Sequence, residues 1–446
     1  MVAEALHDLT AAQAAGLIAS RQLSPVELME ALLRRMERTE PALHAWVGLD
    51  FESARVRAAE AERAPAGGRL HGIPFGVKDV IDVAGLPTGC GFAPFASQTA
   101  REDASAVAGL HGAGAIAIGK TATTQFAFRD PPDTLNPWDP TRSPGGSSTG
   151  SAVAVAARQV PFALGTQTSG SVLRPAAFNG VVGFKPSFGR ISRRGVFPDA
   201  WSLDHVGVLA RSVEDCGLVA AAAAPNPPAA GAPQAPSAAV PPARPFRLGL
   251  LEAALQPASQ EVAEHVRRTA DHFESEGASV IETRLGYSLE LIHAVHQVTM
   301  QSEMAAAHRD LLELYPDAYR PGLRSFLEVG SALPAWAYVH AQRIRRLITL
   351  DLEAALRAVD AIVLPTCSSL APARESGTGD SSLQAPFSLI GAPSISLPSK
   401  PGESGLPLAI QLAAPAGSDR ALLAVARWCE SRLESPPAPP RLPSNP

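Results

Sequence analysis

Two serine-bearing glycine loops stand 24 residues apart in the chain, Pro144-Gly145-Gly146-Ser147-Ser148-Thr149-Gly150-Ser151 and Thr168-Ser169-Gly170-Ser171. Gly76-Val77-Lys78-Asp79 lies about seventy residues before the first. One lysine and two serines, with no obligatory histidine, are the parts of a nucleophile for acyl transfer at an amide-like carbonyl. A serine hydroxyl needs a base within hydrogen-bond reach. Lys78 can be that base only when neutral, so its reference pKa of ~10.4 must fall by about three units, roughly 4 kcal/mol, through burial and nearby dipoles. The second requirement is a set of backbone N–H groups that converge on a developing oxyanion. A Thr-Ser-Gly-Ser turn suits this, because glycine permits the dihedrals that aim successive amides at one spot.

Each piece alone has a plainer reading. A Gly/Ser-rich loop is most often a turn, and a lone buried lysine is most often salt-bridged, with Asp79 the obvious partner here. The ordered combination, with a buried helix between the loops, is what carries the chemistry.

Composition bounds the setting. The chain has 446 residues, 46% hydrophobic and 18% charged, enough for a substantial core. A net charge of −5 and the absence of any Lys/Arg run give no reason to expect a nucleic-acid partner. Only four lysines occur, Lys78, Lys120, Lys185 and Lys400, so a lysine in an apolar glycine-rich segment stands out. Cys90, Cys216, Cys367 and Cys429 form no CxxC pair and read as free buried thiols in a reducing compartment, with no metal site. The N-terminal residues show no basic or apolar secretory region, and no apolar run reaches the ~20 residues of a membrane helix. A cytoplasmic protein is expected.

The elements that must position the loops can be read coarsely. Residues 8–63 read as helical: Leu9, Leu17 and Ile18 recur at helical spacing, and Ser24-Pro25-Val26-Glu27 resembles a cap ahead of Leu28, Leu32, Leu33 and Met36. Apolar runs at 73–77, 80–83 and 115–118 read as buried strands, with a crossover helix over Ser105–Gly112. Residues 151–157 form a small-residue helix with almost no polar face, so it is buried on all sides and Ser147 sits just before its start. Strands are expected at 162–164 and 181–184 around the second loop. Residues 225–245 read as a Pro/Ala-rich linker within one fold. Beyond it follow strands at 247–251, 360–364 and 394–398 and helices at 260–276, 288–315, 332–358 and 421–433. The tail from Ser435 is proline-rich and expected to fray.

Other constellations have plainer readings. His293 and His296, with Glu303, are too few to argue for a metal and read as satisfied or exposed helical residues. Asp204-His205 suggests a Ser-His-Asp triad, but neither Ser147 nor Ser171 sits in a G-x-S-x-G elbow. No Walker lysine follows the first loop. Phe126, Phe128 and Trp138 fit an acyl pocket and core packing equally well. Arg190, Arg193 and Arg194 read as a solvated loop.

Several of these segments carry a family resemblance. Asn136-Pro137-Trp138-Asp139, the two loops, Gly165-Thr166-Gln167, Arg174-Pro175-Ala176 and Gly180-Val181-Val182-Gly183-Phe184-Lys185-Pro186 resemble the amidase signature enzymes. Gly72-Ile73-Pro74-Phe75-Gly76-Val77-Lys78-Asp79, Gly391-Ala392-Pro393-Ser394-Ile395-Ser396-Leu397-Pro398 and Gly405-Leu406-Pro407 extend the match over nearly the whole length. The resemblance implies an α/β fold, an α/β/α sandwich around a central mixed twisted sheet, here as one domain over 1–435 with a frayed tail at 436–446. It implies Ser171 as acyl-forming nucleophile and Ser147, on a cis peptide, as the bridge that passes the proton to Lys78. Thr168, Ser169, Gly170 and Ser171 supply the oxyanion-hole amides.

Departures from the usual pattern bear on substrate. Gln167 stands where aspartate is usual, and Arg174 lies three residues after Ser171, not two. That arrangement is similar to the malonamidase-like branch, where this arginine can bind a carboxylate. Ala122 and Gln125 replace an asparagine and a glutamate, and Thr149 a glycine. Arg174, Gln125 and Phe126 are the candidate substrate-binding residues, and 120–135, 290–345 and 370–390 the segments expected to set specificity. The expected activity is cofactor-independent hydrolysis of small amides, anilides or carbamates (urethanes) by a monomer or homodimer. The alternative is a partner-dependent, glutaminase-type component of an amidotransferase.

Overall fold

A computed structural model describes residues 3–65, 67–224 and 244–439. Local sequence sets the first elements. Thr10 and Ser24 each close a reciprocal capping box, with Gln13 and Glu27, and start α1 (Ala11–Ala19) and α2 (Pro25–Leu43). His44, in the left-handed region at φ 52°, ends α2, and the chain turns into β1 (Trp46–Leu49) before α3 (Phe51–Arg63). The expected helical stretch over 8–63 is therefore interrupted by a strand, fixed where the Trp46 indole donates to Gln159 at 2.7 Å.

The sheet builds from β2 (Pro74–Lys78), which is followed by α4 (Ser105–Gly112), β3 (Ile116–Thr121), α5 (Thr149–Ala156), β4 (Phe162–Gln167) and α6 (Leu173–Asn179). Then come β5 (Val182–Lys185), β6 (His205–Ala210) and α7 (Val213–Ala223). After the undescribed residues lie β7 (Arg247–Leu251), α8 (Gln260–Ser275), β8 (Ser279–Thr283), α9 (Leu289–Leu314), α10 (Pro321–Ala332) and α11 (Ala335–Arg357). The chain ends in β9 (Ala361–Pro365), α12 (Ala385–Leu389), β10 (Ser394–Ser399), β11 (Leu408–Ala413) and α13 (Asp419–Glu430).

Eleven strands form one mixed sheet in the order β1-β3-β2-β4-β6-β5-β10-β11-β9-β7-β8. β2 runs parallel to β3 and β4, and β7 parallel to β8 and β9; the other pairs are antiparallel. Side chains alternate between two apolar layers. Ile116 and Ile118 of β3, Ala163 of β4 and Leu209 of β6 join α2, α3 and α5. Ala117, Phe162, Leu164 and Val208 join α1, α4 and α7 on the other face. Period-two alternation with both faces covered is the signature of a sheet sandwiched between helices.

Residues 80–83 are not a strand. The Val80 and Ile81 amides fold back onto the Lys78 carbonyl at 2.8 and 2.9 Å, and only Ile81 bridges to Val196. The turn is held by Asp79, which accepts from the Gly89 amide and pairs with Lys120 at 3.1 Å. Strand β2 thus stops at Lys78 and leaves that lysine at its carboxyl end. The linker expected at 225–245 falls on residues outside those described, except Arg244 and Pro245; Arg244 pairs with Asp360 at 2.7 Å. Of the expected tail, residues 440–446 lie outside the described residues. Among the described residues no helix is long and apolar enough to cross a membrane.

Every residue of α5 is buried. Its small side chains let it lie against the sheet, and at Gly150 a Cβ would press into the Ala45 carbonyl and the Ala122 amide. Gly150→Ala is expected to destabilise the protein by about 1–3 kcal/mol through this overpacking, read as a lower urea midpoint at unchanged slope.

Candidate active site

Lys78 ends β2 between two parallel neighbours and is completely shielded from solvent. Its Nζ donates to Ser147 Oγ at 2.7 Å and to Thr166 Oγ1 of β4 at 2.7 Å. Burial brings its pKa down to about 7; the charges of Asp199 and Asp204 act in the opposite direction and are outweighed. Asp79, the salt-bridge partner suggested by the sequence, is taken by Lys120 instead.

Ser147 is presented by a loop pinned at each step. Gly145 takes a φ of 73° with its Cα against Pro175, where a side chain has no room. The Gly146–Ser147 peptide is cis. The Gly146 carbonyl accepts from Arg174 Nη2 at 2.7 Å and Nε at 3.2 Å, and the Pro144 carbonyl from Asn179 Nδ2 at 2.7 Å. Two residues later α5 begins, with the Ser148 amide donating to the Ser171 carbonyl at 3.2 Å.

The second loop links β4 to α6. Gln167 caps that helix from inside, its Oε1 accepting from the Val172 and Leu173 amides at 2.9 and 3.1 Å. Thr168 donates its hydroxyl to Asp204 at 2.6 Å. Gly170 passes so close to Gln384 and Ser381 that no Cβ would fit. Among the described residues the amides of Ser169, Gly170 and Ser171 donate no hydrogen bond, and the Ser171 hydroxyl makes none. The Lys78–Ser147 contact is formed, whereas Ser147 and Ser171 are not hydrogen-bonded to each other. Asp199 and Asp204 lie buried together; burial and the charge of Asp204 raise Asp199 well above the carboxylate range, while burial, outweighing the hydrogen bonds from Thr168 and the Asp199 and Ala200 amides, raises Asp204 to about 6.

The candidate substrate residues are distributed differently. Arg174 is buried, its Nη1 donating to the Gly379 carbonyl at 2.7 Å and the rest of its fork facing Gly146. The Gln125 amide bridges the Ala318 carbonyl and the Arg320 amide at 2.9 and 2.7 Å. Phe126 is fully buried at φ 45° among Phe92, Phe197, His308 and Tyr319. Phe128 packs against Phe326 with the rings tilted by 53°, and the Trp138 indole donates to the Asn179 carbonyl at 3.0 Å. His205 turns its Nδ1 to the Leu203 carbonyl at 2.6 Å, not to either serine, and burial pushes its pKa well down. Glu303 receives the Ser202 amide and hydroxyl and the Tyr338 hydroxyl, and no group of three or more metal-ligating side chains exists among the described residues.

Three groups at this centre had no signal of their own in the sequence: Thr166, Asp199 and Ser388. Thr166 stands inside a quoted run, yet its contact with Lys78 depends on the β2–β4 pairing. His296, read as a helical histidine, is wholly buried with Nε2 3.0 Å from the Thr168 carbonyl.

The amidase family model matches residues 27–423. A glutamyl-tRNA(Gln) amidotransferase subunit from Roseiflexus castenholzii is 35% identical over 94% of this chain and 95% of its own. An amidase of Pseudomonas putida is 34% identical over 83% and 82%. A solved amidase structure superposes with a TM-score of 0.87 at 34% identity, covering 95% of this chain and all of that one. Fold and site together define an amide C–N hydrolase of mixed α/β architecture. The chain belongs to the amidase family.

The lysine base expected from the sequence, with its pKa near 7, predicts a pH signature at Ser171. The rate of Ser171 sulfonylation by phenylmethylsulfonyl fluoride should rise about tenfold per pH unit below about 7 and level off above it, because only unprotonated Lys78 can accept the proton. Mass spectrometry of the adduct follows the rate. A rate indifferent to pH across about 5.5–8.5, or a limb that persists in Lys78→Met, removes Lys78 from the role.

Proposed function

We propose that the protein is a stand-alone, cofactor-independent serine hydrolase that cleaves C–N bonds of small neutral amides, anilides or carbamates. The observation that carries this reading is the buried Lys78 amine held on the Ser147 hydroxyl at 2.7 Å, one loop from the unengaged hydroxyl of Ser171. Neutral Lys78 accepts a proton from Ser147, Ser147 accepts one from Ser171, and Ser171 Oγ attacks the substrate carbonyl. The oxyanion is received by the amides of Ser169, Gly170 and Ser171, with Thr168 at the edge of the hole. The proton returns through Ser147 to the departing nitrogen, and water then hydrolyses the acyl-enzyme. A base near pKa 7 serves both directions of that transfer, as accepting and donating forms are both populated.

Neutral substrates are favoured by the state of Arg174. Its guanidinium lies on the Gly146 and Gly379 carbonyls, so a substrate carboxylate would have to displace contacts that hold the Ser147 loop.

A second reading is favoured by the relatives: a glutaminase-type component that works only with partner chains, since the Roseiflexus relative is by name one part of an amidotransferase. A panel of aliphatic amides, anilides, aryl carbamates, malonamate and glutamine separates the two. Turnover of a neutral amide, anilide or carbamate by the isolated chain, lowered at least ~10³-fold in Ser171→Ala and in Ser147→Ala, is the expected result. A folded protein that is silent on the whole panel and gains glutaminase activity only with added partners reverses the assignment. Malonamate as the preferred substrate returns Arg174 to carboxylate binding.

A further inference from the structure

The three peptide units that lead into Ser171 are each fastened by their carbonyl. Thr168 O accepts from His296 Nε2 at 3.0 Å, Ser169 O from Ser388 Oγ at 2.7 Å, and Gly170 O from the Arg174 amide at 2.9 Å. None of these peptides is cis. A trans unit carries its C=O and N–H on opposite sides, so fixing the carbonyl aims the amide. The N–H groups of the same three units belong to Ser169, Gly170 and Ser171, the amides that donate nothing within the described residues. The third pin is ordinary first-turn helix bonding. The first two come from side chains of α9 and α12, distant in sequence and brought to the loop only by the fold.

The protons on both pins have fixed directions. His296 is wholly buried and burial lowers its pKa to about 4, so the ring is neutral; its contact with a carbonyl requires the proton on Nε2. Nδ1 has no partner, and Nε2 lies nearer the Thr168 carbonyl than Ser169 Oγ, at 3.0 against 3.3 Å. Ser388 has a single hydroxyl proton. Gln167 Nε2 donates to its oxygen at 3.1 Å, so that proton is left for Ser169 O. Gln167 cannot turn its amide round, because its Oε1 receives the Val172 and Leu173 amides. A carboxylate at 167 would accept the Ser388 proton and draw it off Ser169 O.

We propose that His296 and Ser388, the latter oriented by Gln167, are positioning residues that set the oxyanion hole of this enzyme. The inference rests on the acyl-transfer reading of Ser171. No contact of either residue with substrate is involved: each acts through a backbone plane.

The test uses the full chain with p-nitrophenyl butyrate as probe and follows the p-nitrophenol released. His296→Ala and Ser388→Ala are expected to lower kcat about 10- to 100-fold with KM within about threefold, a smaller loss than removal of a hole donor itself. Ser388→Thr keeps the hydroxyl and should keep kcat within about threefold of wild type. Gln167→Glu should fall with Ser388→Ala, and the double variant should show no further loss, since both remove one hydrogen bond. Urea midpoints are measured alongside. Folded alanine variants with wild-type kcat overturn the proposal. So does loss in Ser388→Ala that Ser388→Thr fails to restore, or additive loss in the Gln167→Glu/Ser388→Ala pair. If Ser388→Ala does not fold, Gln167→Glu and His296→Ala still decide. A wild-type protein that releases no p-nitrophenol and takes no sulfonyl label on Ser171 overturns the acyl-transfer reading beneath it, an outcome distinct from normal wild-type turnover with unaffected variants.

Discussion

The burial of one unpaired amine organises this structure. Lys78 has no solvent contact, and among the described residues no carboxylate lies within ion-pair distance of it. Its partners are two hydroxyls. A fall from 10.5 to about 7 corresponds to roughly 5 kcal/mol of lost preference for the charged form. Holding a lysine there requires a strand with neighbours on both sides, a helix of small residues packed against the sheet, and a loop tight enough to deliver one hydroxyl. β2, α5 and the Gly145–Gly146 turn meet these conditions. The neighbouring strand shows the contrast. Lys120, aligned with Val77 across the β2–β3 pair, is equally buried but sits on Asp79. One lysine is compensated by a carboxylate; the other is left to hydroxyls, as the proposed base requires. A lowered pKa alone would not separate them from Lys185, which burial also brings to about 7 but which donates only to the Ala392 carbonyl. The hydroxyl partners make the distinction.

Two buried carboxylates complete the electrostatics without neutralising that design. Asp204 is the better supported of the pair, accepting from Thr168 Oγ1 and from the Asp199 and Ala200 amides. Asp199 has an oxygen without a partner and is pushed furthest toward its neutral form by burial and by Asp204. Negative charge near Lys78 is thereby concentrated on one group, and that group is tied to the oxyanion loop through Thr168. Asp204 thus holds the Thr168 loop by a hydrogen bond and acts on Lys78 only through its charge.

The sequence made the proposed reacting groups legible and left their supports hidden. Lys78, Ser147 and Ser171 announce themselves because glycine turns and an all-small helix admit few other uses for a lysine and two serines. Strand β2, helices α4 and α5 and strand β7 follow from apolar runs with clear breakers. Strand β1 was hidden by the helical pattern on both sides of it, since four residues between two capped helices carry too little periodicity to be read. The 80–83 run misled because its β-branched residues are buried in a turn that folds back on Lys78, and burial imitates strand composition. Ser388, and the loop contact of the helical histidine His296, were invisible for another reason. Their function resides in carbonyls of a loop more than a hundred residues away, and no local pattern encodes that contact.

Arg174 shows how far a motif can carry a substrate assignment. Three residues after Ser171, on the first turn of α6, it can point out toward a ligand or back under the Ser147 loop, and the spacing is the same for both. In this structure it points back, and its environment explains why it stays. The guanidinium is wholly buried and burial draws its pKa down to about 10, so a compensating set of acceptors is needed; the Gly146 and Gly379 carbonyls are that set. An arginine so placed ties the 379 loop to the peptide that carries Ser147. The aromatic cluster around Phe126 lies apart from these contacts, packing through Phe92 on Tyr315 and directly on Tyr319 of the segment between α9 and α10.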